Sequence, residues 1–313
     1  MAELSVEICG VKFPSCLINA AGAKDVSLDD LHALGRSAAG AIVIKTATVE
    51  FRKGNETPRW YTDELGSLNS MGLPNLGYQR YVEAVPELKR HGKPVVASVS
   101  GLGDGDNETM IAAYDKAGVD MVEVNLSCPN LVGKGQMGYD PEASRKMLVA
   151  CRKQTDKPMG VKLPPYFDGF QFEQIAKVIK ETKTDFVVTI NSIGGALVID
   201  ADKEQKVIAP KGGAGGLGGQ YVKPTALGNV HALSQLLDLP IIGVGGVANG
   251  TDAFEHLLAG ATAVGVGTAL VNEGPAVFER LGGELATVLD AHDYAGAAAA
   301  RGRLQDRAPD PVE

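Results

Sequence analysis

A closed barrel of eight parallel strands alternating with helices, a (β/α)8 or TIM barrel, is the fold class that this 313-residue sequence predicts. Three observations carry that expectation. Near-continuous apolar runs recur at 15–22, 41–46, 94–100, 121–127, 158–164, 186–192, 241–247 and 263–269; runs without alternation suit parallel strands buried on both faces. Helical stretches separate them, which is the rhythm of an α/β domain. Eight such units match a closed barrel, and barrels of this size commonly form one domain, here 1–313. A doubly wound open sheet is the alternative architecture.

Taken in order, SVEICGVKF at 5–13 predicts a small N-terminal hairpin turning at Gly10. The first barrel strand then ends in small residues at Gly22. Ser27 precedes LDD with Asp30 three positions on, a helix start, and the second strand ends in Lys45 and Thr46. The segment 47–77 holds Pro58, Pro74 and several glycines and predicts a long ordered loop rather than an element. Helices are expected near 78–91, 107–117, 141–154, 170–182, 225–237 and 252–259. A Gly-rich excursion fills 193–223, and the tail after Arg303 reads as frayed. Both insertions leave the C-terminal ends of strands.

Composition narrows the function. The hydrophobic share of 44% against 22% charged residues supports a large core, and no low-complexity tract argues for disorder. A net charge of -8 and a pI near 5.3 leave no basic face for a phosphate backbone, so no nucleic-acid partner is expected. Glu3 and Glu7 stand where a signal peptide would be basic and apolar, and the longest uncharged run, 257–272, is interrupted by glycine and too short to span a bilayer. A soluble cytoplasmic protein is expected. The four cysteines, Cys9, Cys16, Cys128 and Cys151, show no C-x-x-C spacing, which argues against a disulfide framework, a zinc site and an iron–sulfur cluster.

In a barrel all strand tips meet at one face, where active sites are built. The densest tip is MVEVNLSCPN at 121–130, where Asn125, Ser127, Cys128 and Asn130 cluster beside Pro129. Polar groups at a buried tip need partners, and an arriving polar ligand supplies them. A cysteine taken alone is more often a small core hydrophobe than a catalyst; its company here makes Cys128 a candidate. Lys45 and Lys162 also fall at tips. They either pair with carboxylates or meet an anionic ligand, the simpler reading of two such lysines. Gly245 with Gly246, and Gly267 with Thr268, end strands seven and eight, where barrels commonly bind phosphate. GGAGGLGG at 212–219 contains a formal G-x-G-x-x-G, but it lacks the strand-then-helix context of a dinucleotide site and is expected to be a flexible loop. Gly133, Gly135 and Gly138 around Lys134 suggest a mobile lid.

Read together, NSMGLPN at 69–75, NLSCPN at 125–130, GVKLPPYFD at 160–168, INSIGG at 190–195, GGLGG at 215–219 and GGV at 245–247 resemble the dihydroorotate dehydrogenases, in uninterrupted order from about residue 5 to Arg303. Within that family the chain is similar to the soluble, fumarate-dependent class 1A. The resemblance implies non-covalent FMN, oxidation of dihydroorotate to orotate in pyrimidine synthesis, reduction of fumarate to succinate, and a homodimer. It implies that Cys128 is the general base. It places Lys45, Asn69, Asn125, Asn130, Asn191 and Ser192 around the substrate, with Met71, Gly72 and Leu73 lending backbone contacts. It sets Lys162 against the flavin, with Ala20, Ala21, Gly22, Thr46, Gly219, Gly245, Gly246, Gly267 and Thr268 cradling the cofactor and its phosphate, joined by Lys45, Asn69, Asn125 and Ser192. A class 1B relative, which passes electrons to a partner subunit, and a non-redox phosphate-binding barrel are the competing readings.

Overall fold

The computed structural model describes residues 2–22, 24–128 and 135–308. Its centre is a sheet of eight parallel strands in the spatial order Leu17–Asn19, Ala263–Val266, Ile241–Val244, Phe186–Thr189, Met159–Lys162, Met121–Asn125, Val95–Val99 and Ile42–Val43. Read backwards from the last strand, this is the sequential order of a barrel. All eight apolar runs of the sequence supply one strand each.

The seam between the first and second strands is closed by a side chain. The Asn19 amide donates to the Val43 carbonyl at 2.8 Å and accepts from the Val43 amide at 2.9 Å. An asparagine side chain offers the same donor and acceptor as a peptide, so it stands in for a ladder pair. The neighbouring Gly40 amide adds a backbone bond to Leu17 at 2.8 Å.

Local sequence explains the remaining elements. Val6–Ile8 pairs antiparallel with Val11–Phe13 through a turn at Cys9 and Gly10, whose φ values of 52° and 81° give the primed turn that hairpins favour. Leu28–Arg36 begins at a capping box in which Ser27 and Asp30 satisfy each other's backbone amides. Helices Tyr78–Lys89, Asp106–Ala117, Pro141–Arg152, Gly169–Glu181, Lys223–Leu236 and Gly250–Ala259 fall where the pattern puts them. Val277–Ala291 follows the eighth strand and buries Phe278, Leu281, Leu285 and Leu289. After Arg303 the described chain, to Ala308, is exposed and without regular structure, though the Leu304 amide still bonds to the Leu258 carbonyl at 3.2 Å.

Two expectations are corrected at the barrel mouth. The segment 47–77 is not a plain loop: it holds the antiparallel strands Trp60–Thr62 and Gly66–Asn69. The Gly-rich run is not a flexible loop either, because Gly215–Gly219 pairs with Gly66–Asn69 and with Ile193–Ala196 in a four-stranded sheet. Glycine forms a strand here because the backbones approach closely. A Cβ on Gly219 would lie 2.4 Å from the Gly66 Cα, and one on Gly216 would lie 2.2 Å from the Ser192 hydroxyl oxygen. Apolar strand signals are silent in such a stretch.

Among the described residues no helix is long and apolar enough to cross a membrane.

Candidate active site

The strand tips and the mouth sheet enclose a cavity of about 1060 Å³, counted to its open mouth. Every site residue that the family resemblance implies lines it except Asn130: Cys128, Lys45, Asn69, Met71, Gly72, Leu73, Asn125, Asn191 and Ser192 share its wall with Ala20, Ala21, Gly22, Thr46, Lys162, Gly219, Gly245, Gly246, Gly267 and Thr268. Asn130 lies outside the described residues, as do Gly133 and Lys134 of the expected lid. The described end of that loop is pinned: the Gly138 amide donates to Leu126 at 2.9 Å, and the Tyr166 hydroxyl donates to the Gly138 carbonyl at 2.6 Å.

A directional hydrogen-bond chain orients the polar wall. The Ser98 hydroxyl lies 2.6 Å from the Glu123 carboxylate and 2.8 Å from the Thr46 hydroxyl, and the Asn125 amide donates to Thr46 at 3.2 Å. Asn125 Oδ1 accepts from the Ser127 amide at 3.0 Å and its hydroxyl at 2.9 Å. The Asn191 amide donates back to the Ser127 carbonyl at 3.0 Å, while Asn191 Oδ1 accepts from the Ser192 amide at 2.8 Å. Each amide oxygen is thus assigned by an N–H that can only donate, which fixes Asn125 and Asn191 in one orientation. Asn69 is held from the other side, its amide donating to the Gly216 carbonyl at 3.1 Å.

Four buried charges lie in or beneath this wall. Lys45 and Lys162 are 4% and 3% exposed, so both must be compensated. Lys45 Nζ is 3.7 Å from Asp25 Oδ1, and Lys162 Nζ donates to the Ala21 carbonyl at 2.7 Å. Burial pushes the Asp25 and Glu123 carboxyls up from the usual range and the Lys162 ammonium down; Lys45 pulls Asp25 back, and Lys162 and Glu123 restrain each other. Asp25 Oδ1 accepts no hydrogen bond among the described residues. Carboxylate pairing and a cationic site wall therefore coexist.

Sequence reasoning missed Asp25 and Glu123, along with Trp60, Ser67 and Gly218 of the mouth sheet, which also line the cavity. Glu123 had a signal. Period-two alternation puts Met121, Glu123 and Asn125 on one face, and a polar tip at Asn125 makes that face the barrel interior.

A family model described as dihydroorotate dehydrogenase matches residues 3–289. The chain belongs to the dihydroorotate dehydrogenase family. It is 46% identical to a probable dihydroorotate dehydrogenase A (fumarate) of Enterococcus faecalis, over 97% of this chain and 99% of the relative. It is 45% identical, with the same coverage, to a putative dihydroorotate dehydrogenase A (fumarate) of Streptococcus uberis. The chain is accordingly an oxidoreductase of the A, fumarate-type branch of the family. Its fold is shared with a ligand-free dihydroorotate dehydrogenase from Eimeria tenella at a TM-score of 0.84 and 22% identity, covering 97% of this chain and 92% of that one.

Proposed function

We propose that the chain binds one FMN non-covalently and oxidises dihydroorotate to orotate, the oxidation step of pyrimidine synthesis, with fumarate as electron acceptor. The observation that carries this is the convergence on one cavity of Cys128, two buried lysines, three asparagine amides and bare glycine tips.

The residues present fit a flavin mononucleotide. A Cβ on Gly267 would meet nothing within 4 Å, so this tip leaves open room on a cavity wall where a larger residue would intrude. Gly22, Gly245, Gly246 and Thr268 line the same cavity, and Lys162 supplies a buried cation for a ring that gains negative charge. When bound, FMN supplies what the side chains lack, a hydride acceptor at flavin N5.

The chain's own residues do the rest. Cys128, half-buried on the cavity wall, takes the proton from C5 of dihydroorotate. Lys45 faces the substrate carboxylate, its charge held in place by Asp25. Asn69, Asn125 and Asn191, locked by the bonds above, present fixed amides to the pyrimidine ring, and Ser192 joins them; Asn130 belongs to the same set by sequence. Fumarate is a planar dicarboxylate and meets the same donors, so Cys128 returns a proton in the second half-reaction. A homodimer is part of the same proposal, with the exposed Leu197 and Ile199 of the mouth insertion offering apolar surface.

Purified protein is expected to be yellow and to release about one FMN per chain on denaturation. Saturating FMN at about a thousandfold excess over its dissociation constant should stabilise the fold by about 4 kcal/mol, read as a rise in Tm. Colourless protein whose Tm does not respond to FMN would contradict the proposal.

A further inference from the structure

Behind the tip of the seventh strand, the backbone from Gly245 to Asn249 is held from one side. His256, fully buried on Gly250–Ala259, has Nε2 2.9 Å from the Gly245 carbonyl oxygen. A carbonyl cannot donate, so Nε2 carries the hydrogen and the imidazole is the donor. Gln220 Nε2 donates to the Gly246 carbonyl at 2.8 Å and to Asp252 Oδ2 at 2.8 Å. The same Asp252 oxygen accepts from the Ala248 and Asn249 amides at 2.8 and 3.0 Å, and Lys223 anchors the other Asp252 oxygen at 2.7 Å.

These grips fix where the intervening amides point. Both peptide bonds are trans, and in a trans peptide the N–H is directed opposite to its C=O. With the Gly245 and Gly246 carbonyls drawn outward to His256 and Gln220, the Gly246 and Val247 amides face the other way, toward the cavity that both residues line. Neither amide has an intramolecular acceptor among the described residues. Glycine is required at the centre: Gly246 has φ 79°, and a Cβ there would lie 2.3 Å from the Lys223 Cβ. Two adjacent buried amides without acceptors form a receptor for an anion.

We propose that His256 and Gln220 are positioning residues for a phosphate monoester: by holding two successive carbonyls from behind, they fix the Gly246 and Val247 N–H groups toward the ligand's phosphate. The proposal rests on the FMN reading above. Neither side chain lines the cavity, so neither touches substrate or cofactor directly.

FMN and riboflavin differ only by the phosphate, which makes them the probes. Full-length protein is stripped of flavin and reconstituted with each, and dissociation constants are read from flavin fluorescence for wild type, His256→Phe and Gln220→Leu. Hydrogen bonds to a charged group are each worth enough that losing their alignment should weaken FMN roughly tenfold or more while riboflavin is unchanged. Gln220 is only partly buried, so Gln220→Leu keeps the test open where His256→Phe fails to fold. If wild type prefers FMN but both variants weaken the two flavins by the same factor, or neither, the positioning role is overturned while the FMN reading stands. If wild type binds riboflavin as tightly as FMN, the phosphate placement is wrong and the positioning role falls with it.

Discussion

Cys128→Ala is expected to slow flavin reduction by dihydroorotate by about 10²- to 10⁴-fold, the range a positioned general base contributes. Cys128 lies three residues past the end of the strand Met121–Asn125, and the residue before it is pinned twice to Asn125 and twice by Asn191. Its sulfur is therefore presented to the cavity by a rigid tip. Alanine removes the proposed proton acceptor but leaves the glycine tips and Lys162 intact, so FMN content should stay at the wild-type level. Anaerobic stopped-flow absorbance measures the reduction, and the released flavin measures the content. Reduction by the variant at near wild-type rate would assign the base elsewhere. Loss of FMN along with activity would make Cys128 part of the cofactor cradle instead.

Lys162→Met should cost both stability and function, and the stability cost should depend on pH. The lysine is 3% exposed and is the largest favourable influence on the Glu123 carboxylate, which burial already pushes above the usual value of 4.5. Removing one member of a buried charge pair typically costs about 3–5 kcal/mol when the other stays charged. Glu123 can escape that cost by keeping its proton. A carboxyl whose folded pKa is raised contributes stability that is present below its unfolded value and lost as pH rises through the folded one. The variant raises that folded value further, so its deficit in Tm should be small near pH 4.5 and grow toward pH 7. An equal deficit at both pH values would show that Lys162 and Glu123 are not coupled. The same substitution removes a buried cation from the wall of the cavity proposed to hold the flavin, and the midpoint potential of the bound flavin should become more negative. An unchanged potential would place Lys162 outside the cofactor's field.

Most of the barrel is legible in the sequence because its strands are apolar on both faces and several of its helices, Leu28–Arg36, Pro141–Arg152, Gly169–Glu181 and Gly250–Ala259, begin at a side-chain cap. Ser27 with Asp30 marks a helix start without any tertiary information, and Cys9–Gly10 marks a turn. The mouth sheet is illegible for the same physical reason. Gly215–Gly219 forms a strand through close backbone approach rather than side-chain burial, so periodicity has nothing to report. The tips of the candidate site read well, since Cys128, Lys45 and the asparagines announce themselves by polarity at the ends of apolar runs. Their partners do not. Asp25 sits in a stretch, KDVS at 24–27, whose sequence resembles any solvated turn, yet it is wholly buried against Lys45. Gln220 and His256 belong to segments with no motif, and their grip on Gly245 and Gly246 exists only once the seventh strand, Gly250–Ala259 and the mouth insertion are packed together.

The central claim is that one cavity serves both the oxidation of dihydroorotate and the return of its electrons to fumarate. The most direct test is anaerobic: protein reduced with a stoichiometric amount of dihydroorotate is mixed with fumarate and, separately, with NAD⁺, and the flavin absorbance is followed. Fumarate is expected to restore the oxidised spectrum in a reaction that orotate inhibits competitively, and NAD⁺ to leave it bleached. Flavin that stays reduced with fumarate, or is reoxidised by NAD⁺ without any partner protein, would contradict the account.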